Sequence, residues 1–332
     1  MHYKTSLYVY TMLTHSEYLG IIEQSLKEIS YPSSPAGLYA PVKYTLDCGG
    51  KRLRPVLTLA CCEAFGADPR SAVNQASGIE MFHNFTLLHD DVMDHADMRR
   101  GRPTVHTRWG DRTAILSGDA MLSMATDMIT RGCPDSRMRQ VISLFYRTAM
   151  EIYEGQQYDM DFEDRTDVSV EEYMDMIRLK TSVLLGCACE MGALMAGAPA
   201  DSCRAMYSYG EKLGLAFQLQ DDYLDTYGDP IVFGKEIGGD IINDKKTWLL
   251  ITAMAEDRTG VLAREISSPS EPAHKIESVR GVYDSLGLPA RCRAIIGRYV
   301  DEAIACLDRA ALTPAAREFF VEIAEKSRTR QN

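Results

Sequence analysis

Residues 90–94 read DDVMD and residues 221–225 read DDYLD. On a helix that turns about 100° per residue, positions i and i+4 share a face, so Asp90 pairs with Asp94 and Asp221 with Asp225. Like charges at that spacing repel, and a bound cation relieves them. Clustered hard oxygens suit magnesium, which keeps waters and uses a few carboxylates to hold substrate phosphates. One such cluster reads equally well as a solvated helix end. With 26 aspartates in the chain, one chance DDxxD arises about one time in six and two roughly one time in a hundred, so the pair is a far stronger signal. Asp91 and Asp222 point about 100° off the paired carboxylates, which leaves open a supporting role, a basic partner or direct metal ligation.

A phosphate site also needs cations. Residues 49–55, GGKRLRP, put Lys51, Arg52 and Arg54 beside a glycine pair that lets backbone approach a ligand. Residues 99–104, RRGRPT, follow the first acidic cluster with Arg99 and Arg100, and FGKEIGGDIINDKKTW at 233–248 follows the second with Lys235 and Lys245. Lys246 is the alternative to Lys245. Each basic patch alone is the composition of a solvated loop; beside carboxylate clusters that preference reverses. His83 lies seven residues before Asp90, about 20° from the same helix face. Together these residues describe a pocket for two anionic groups, one held through metal and one through side chains alone.

The elements that must position them are helical almost throughout. Apolar residues recur at helical spacing near 16–29, 54–65, 71–94, 112–131, 136–163, 169–196, 202–227, 244–256, 272–285, 289–310 and 314–327. Ser169 with Glu172 forms a capping-box pattern, and Thr313 with Pro314 an N-cap followed by proline. Three prolines in YPSSPAGLYAP at 31–41 predict a break. No repeat or long polar linker divides the 332 residues, so one all-α domain is expected against a length prior of roughly two. The net charge of −11 argues against nucleic acid, which demands a basic surface. No uncharged apolar run reaches about 18 residues, and the first twenty lack a signal-peptide pattern, so a cytoplasmic protein without membrane insertion is expected. Nine cysteines in mostly apolar helical surroundings read as buried reduced thiols.

In order, GGKRLRP, FHNFTLLHDDVMDHADMRRGRPT, Lys180 with Thr181, FQLQDDYLD and GKEIGGD resemble the trans-isoprenyl diphosphate synthases of the polyprenyl synthetase family, over about residues 48–250. The resemblance implies long helices around a deep central cavity, a homodimer, and about three magnesium ions linking both acidic motifs to an allylic diphosphate. It assigns Asp90, Asp94, Asp221 and Asp225 to metal, and Arg99, Lys180 and Lys235 to the allylic diphosphate. Thr181 and Gln218 stabilise the allylic cation, while Lys51, Arg54, His83, Arg100 and Lys245 bind substrate, chiefly isopentenyl diphosphate. The released diphosphate takes the final proton, so no separate base is needed. Bulky residues four and five positions before the first acidic motif limit chain growth in the family. Here these are Thr86 and Phe85, which predicts a product of fifteen to twenty carbons, leaning to twenty; Phe82 is a further candidate.

Three other readings compete. A terpene cyclase shares one aspartate motif but not DDYLD with GGKRLRP. A non-catalytic partner subunit usually loses one acidic cluster, and both are present. A di-iron bundle requires two Glu-x-x-His pairs on facing helices; Glu80–His83 qualifies, whereas Glu271–His274 includes Pro272.

Overall fold

The computed structural model describes residues 12–229, 237–268 and 270–329. Its contacts divide into two compact units: one holds the chain to Phe145 with Ala188–Met206 and Leu312–Ala316, the other Tyr146–Cys187, Tyr207–Ala311 and the chain from Arg317. Nearly every element is helical; the one exception among the described residues is a two-stranded ladder pairing Met98 with Pro103 and Arg99 with Arg102.

In the first unit, α1 (His15–Lys27) opens with a capping box in which Thr14 and Glu17 satisfy one another's backbone N–H groups. It buries Tyr18, Ile22 and Leu26. The Tyr18 hydroxyl and the Leu13 N–H both donate to the buried Glu63 carboxylate, which fixes the start of α1 on α3 (Leu53–Ala64). Between them α2 (Ala36–Asp47) runs through the segment expected to be a break. Pro35 precedes the first turn, and Pro41 forfeits one hydrogen bond inside the helix, yet Pro41, Val42 and Leu46 are buried. Their packing overrides the local penalty.

The long α4 (Val73–Met93) packs most extensively on α6 (Asp111–Thr130), beyond the short α5 (Val105–Trp109). Along the contact, a Cβ on Gly78 would meet Ile129 and one on Gly118 would overlap the His89 ring. The helices are therefore close because these positions are bare. The capping predicted at Thr313 is present, with its hydroxyl accepting from the Ala316 N–H at 3.2 Å.

Two further helices, α7 (Asp135–Glu163) and α8 (Val170–Ile177), lead into the second unit, where Ser169 and Glu172 form the predicted capping box. After α8 comes a π-helical turn, Arg178–Ser182, and then α9 (Val183–Ala196). The segment Val170–Ala196 is long and apolar enough to cross a membrane, but 72% of its most apolar 18-residue window is buried inside the protein, as in a core helix. Against it lies α10 (Ala200–Tyr227), whose Gly210 and Gly214 face the Leu185 carbonyl and Ser182 without side chains. The unit is completed by α11 (Gly239–Ile242), α12 (Trp248–Glu256), α13 (Val261–Ser267), α14 (Pro272–Ser285) and α15 (Leu288–Cys306). Last comes α16, Pro314–Arg328. The predicted start at 244 lies four residues early because Lys245, Lys246 and Thr247 form a connection, with Thr247 capping α12. All nine cysteines are free thiols and only Cys48 is partly exposed, as expected.

Candidate active site

In the first unit the glycine pair and the basic run form one folded turn. Gly49 and Gly50 take positive φ, and Arg52 is itself left-handed at φ 48. The Arg52 guanidinium turns inward, donating to Glu80 at 2.6 Å, Glu23 at 3.1 Å and the Leu46 carbonyl at 2.7 Å. It is thus a buried anchor, unlike its exposed neighbour Lys51 and the half-buried Arg54. Arg54 Nη1 lies 3.2 Å from His83 Nε2. Arg100 donates to the Gly49 carbonyl, and its guanidinium occupies space that a Cβ on Gly50 would enter.

Burial, then Arg54, Arg100 and the other nearby guanidiniums, pushes the His83 pKa well below its usual value. Arg54 is lowered to about 10, by burial and then Arg100, with Glu80 opposing. Burial thus weakens the protonated form of two adjacent basic groups, and an anion bound against them would favour that form again.

Arg100 reaches this place through the Met98–Pro103 ladder, whose turn residues Arg100 and Gly101 have φ of 50 and 72. Positive φ at both central residues is the hairpin geometry that matches strand twist. The turn was not foreseen, because strands of two residues leave no alternation to read. It presents Arg99 to the acidic cluster: Nε is 2.5 Å from Asp91 Oδ1 and Nη2 is 3.3 Å from Asp90 Oδ2. Asp91 therefore takes the basic-partner role left open by the sequence. Asp94 caps α4, its N–H donating to the Asp90 carbonyl at 2.8 Å.

The expected chain-length residues differ in character. Phe85 is buried, meeting the His89 ring edge-on at 4.8 Å and Phe82 at 5.5 Å, and Phe82 meets Phe145 at 5.1 Å. The Thr86 hydroxyl donates back to the His83 carbonyl at 2.8 Å. His89 Nε2 lies 3.0 Å from the Ile115 carbonyl, and its ring occupies the notch left by Gly118. Sequence reasoning passed over His89 and Gly118; nothing in their local pattern signals the notch.

In the second unit the π-helical turn carries Lys180 and Thr181. Widened turns of this kind concentrate at functional sites. Gly155 on α7 allows that helix to touch the Lys180 backbone, where any Cβ would overlap the peptide. One turn further along, Asp159 Oδ2 accepts from Lys180 Nζ at 2.5 Å. The Thr181 hydroxyl donates to Gln218 Oε1 at 3.1 Å, Gln218 Nε2 donates to Asp222 Oδ1 at 3.0 Å, and the Tyr173 hydroxyl donates to Asp222 Oδ2.

Asp222 is buried, so burial raises its carboxyl to about 7, with Asp240 adding to the rise and Lys245 opposing it. Asp221 and Asp225 are only half-buried. Asp225 accepts from the Asp240 N–H at 2.9 Å and its own carbonyl from the Gly238 N–H at 2.6 Å, which ties α11 to the motif. Lys245 Nζ lies 3.7 Å from Asp240 Oδ1, while Lys246 donates to the Glu163 carbonyl at 3.2 Å. Of the two lysines, Lys245 is the one beside the acids. Lys235 falls outside the described residues.

Among the described residues, no group of three or more side chains already forms a metal cage. The paired carboxylates nonetheless fit magnesium. Each motif offers hard oxygens from i and i+4 and leaves further coordination positions to water and phosphate oxygens, the usual habit of that ion.

The profile of the polyprenyl synthetase family matches residues 35–284. A geranylgeranyl pyrophosphate synthase of Geoglobus acetivorans is 36% identical over 307 residues, covering 92% of this chain and 94% of its own. A geranylgeranyl diphosphate synthase of Methanosarcina mazei is 40% identical over 233 residues, 70% of this chain and 72% of its own. A crystal structure of a geranylgeranyl pyrophosphate synthase superposes with a TM-score of 0.92 at 42% identity, spanning 97% of this chain and 100% of that one. With its helices, its two aspartate motifs and these likenesses, the chain belongs to the polyprenyl synthetase family, as a prenyltransferase of the trans-isoprenyl diphosphate synthase type. The family is generally magnesium-dependent.

Proposed function

We propose that this protein condenses isopentenyl diphosphate head-to-tail with an allylic diphosphate, giving an all-trans prenyl diphosphate of fifteen to twenty carbons and free diphosphate. The observation that carries the reading is the contrast between two kinds of anion-binding equipment. Arg54, His83 and Arg100 form a basic site that needs no metal, with Arg54 Nη1 3.2 Å from His83 Nε2 and the pKa values of both lowered first by burial. The carboxylates of Asp90, Asp94, Asp221 and Asp225 suit a metal-held diphosphate.

Lys51, Arg54, His83 and Arg100 bind the isopentenyl substrate, and Lys245 is a further substrate-binding residue. Arg99 and Lys180, with Lys235, place positive charge against the departing allylic diphosphate. Bound magnesium, three ions by resemblance, supplies Lewis-acid stabilisation of that leaving group. Thr181 and Gln218 offer oxygen dipoles to the allylic cation without being strong nucleophiles. The diphosphate released accepts the final proton.

Phe85, braced by His89 and Phe82, limits chain growth, with Thr86 beside it. The names of the relatives support twenty carbons. The described units work as a single catalytic domain in a cytoplasmic homodimer.

Incubating the full chain with magnesium, isopentenyl diphosphate and dimethylallyl, geranyl or farnesyl diphosphate in turn tests this. A linear product of fifteen or twenty carbons is expected. No condensation with any starter, by folded protein, would overturn the reading in favour of a partner-dependent subunit or a cyclase.

A further inference from the structure

The middle aspartate of the second motif faces away from the work expected of its neighbours. Asp222 is 5% exposed, and its two oxygens are taken by the Tyr173 hydroxyl and Gln218 Nε2. From there the hydrogen bonds continue in one direction: the Gln218 amide hydrogen is committed to Asp222, so the amide oxygen points the other way and accepts from Thr181 Oγ1 at 3.1 Å. Tyr173 is buried at 2% exposure, and its position is set by the capped first turn of α8.

A glutamine amide has two ends of opposite polarity that differ little in shape. Turned by 180°, Gln218 would offer Thr181 and any cation beside it the positive NH2 end. With Asp222 ionised the arrangement blocks that rotation, because it would set the amide oxygen against a carboxylate oxygen while the tyrosine proton already occupies the other one. A chain of aligned hydrogen bonds ending on an acid also polarises each member, leaving the outer oxygens more negative.

We infer that Tyr173 and Asp222 are positioning residues that hold the Gln218 amide with its oxygen toward Thr181, and so set the sign of the dipole presented to the allylic cation. The inference rests on the reading given under Proposed function, and it assigns Asp222 a task distinct from that of Asp221 and Asp225. Tyr173 is a buried phenol, not a group that touches substrate.

The test is a double-mutant cycle on the full chain, with Tyr173→Phe, Gln218→Leu and both together, each assayed for kcat, for KM of both substrates and for the magnesium concentration giving half-maximal rate. Tyr173→Phe is expected to lower kcat about tenfold while both KM values and the magnesium requirement stay within about twofold. In the Gln218→Leu background the same change should be silent, because the group it positions is gone. Asp222→Asn keeps the shape without the charge and should behave alike, which provides a second route should Tyr173→Phe fold poorly.

Equal losses of kcat in both backgrounds, wild-type kcat in Tyr173→Phe, or a raised magnesium requirement would each overturn the inference. In the first and last cases the tyrosine would be acting through the fold or the metal carboxylates. An unmutated chain that condenses nothing would instead overturn the function itself, and the inference with it.

Discussion

The ends of α4 and α10 carry the same five-residue pattern and treat its second aspartate in opposite ways. At α4 the buried Asp91 meets a guanidinium delivered by the Arg100–Gly101 hairpin, 2.5 Å away. At α10 the buried Asp222 meets a phenol and an amide, and burial raises its carboxyl to about 7. The first aspartate joins an ion pair and the second accepts hydrogen bonds from uncharged donors, a phenol and an amide. A motif of spaced carboxylates thus specifies the outward pair on each helix, whereas its inward member is defined by what packs beneath it.

The largest effects should come from what the two ends share. Asp90→Asn and Asp221→Asn each remove one of the carboxylates proposed to hold magnesium, so each should cost at least about a hundredfold in condensation rate with helicity unchanged by circular dichroism. Near-normal turnover in both would break the equivalence of the two faces. A smaller effect should separate the ends. Asp91→Asn leaves Arg99 without its closest acidic partner and should lower the melting temperature by roughly 2–5 °C, more than Asp222→Asn does. The reverse order by calorimetry would cancel the distinction drawn above.

Phe85→Ala should lengthen the product by about one five-carbon unit, since one helical turn of about 5.4 Å is close to one extended isoprene. Unchanged chain length on product analysis would move the limit to Phe82 or Phe145. The smallest effect concerns His83. Its folded pKa lies below the usual value, so its neutral form is favoured on folding. The stability it contributes is complete above about pH 6.5 and is lost as pH falls through that value toward the folded pKa. Between pH 7.5 and 5.5 the unmutated protein should therefore lose roughly 2 °C more in melting temperature than His83→Gln. Parallel losses would mean that the ring is charged in the folded state.

Both acidic pairs, the basic segments and most long helices were legible because each is a local pattern: a spacing, a cap, a run of period 3.6. The bounds of α14 at Pro272–Ser285 match the expected 272–285, since Pro272 at the first helical position is itself the start signal. Other features depend on distant residues. The helix through Pro41 is held by buried side chains of another segment's core, and the Arg100 hairpin has strands too short to show alternation. Gly118 and Gly155 matter only for the ring and the backbone that press on them. Arg52 looked like one cation among three, and only Glu23 and Glu80, remote in sequence, reveal it as an anchor.

The widened turn at Arg178–Ser182 also bears on which mutations this chain can survive. Such a turn holds one residue more than an α-helix of the same course would use. Deleting any one residue there would heal the regular ladder and give a helix that is sounder on its own terms. The helices on either side would keep their course, but the backbone at Lys180 and Thr181 would lose the displaced positions from which they reach Asp159 and Gln218. Substitutions in the segment are graded events, whereas a single-codon deletion is all or nothing, and the irregularity is maintained by length as much as by residue type.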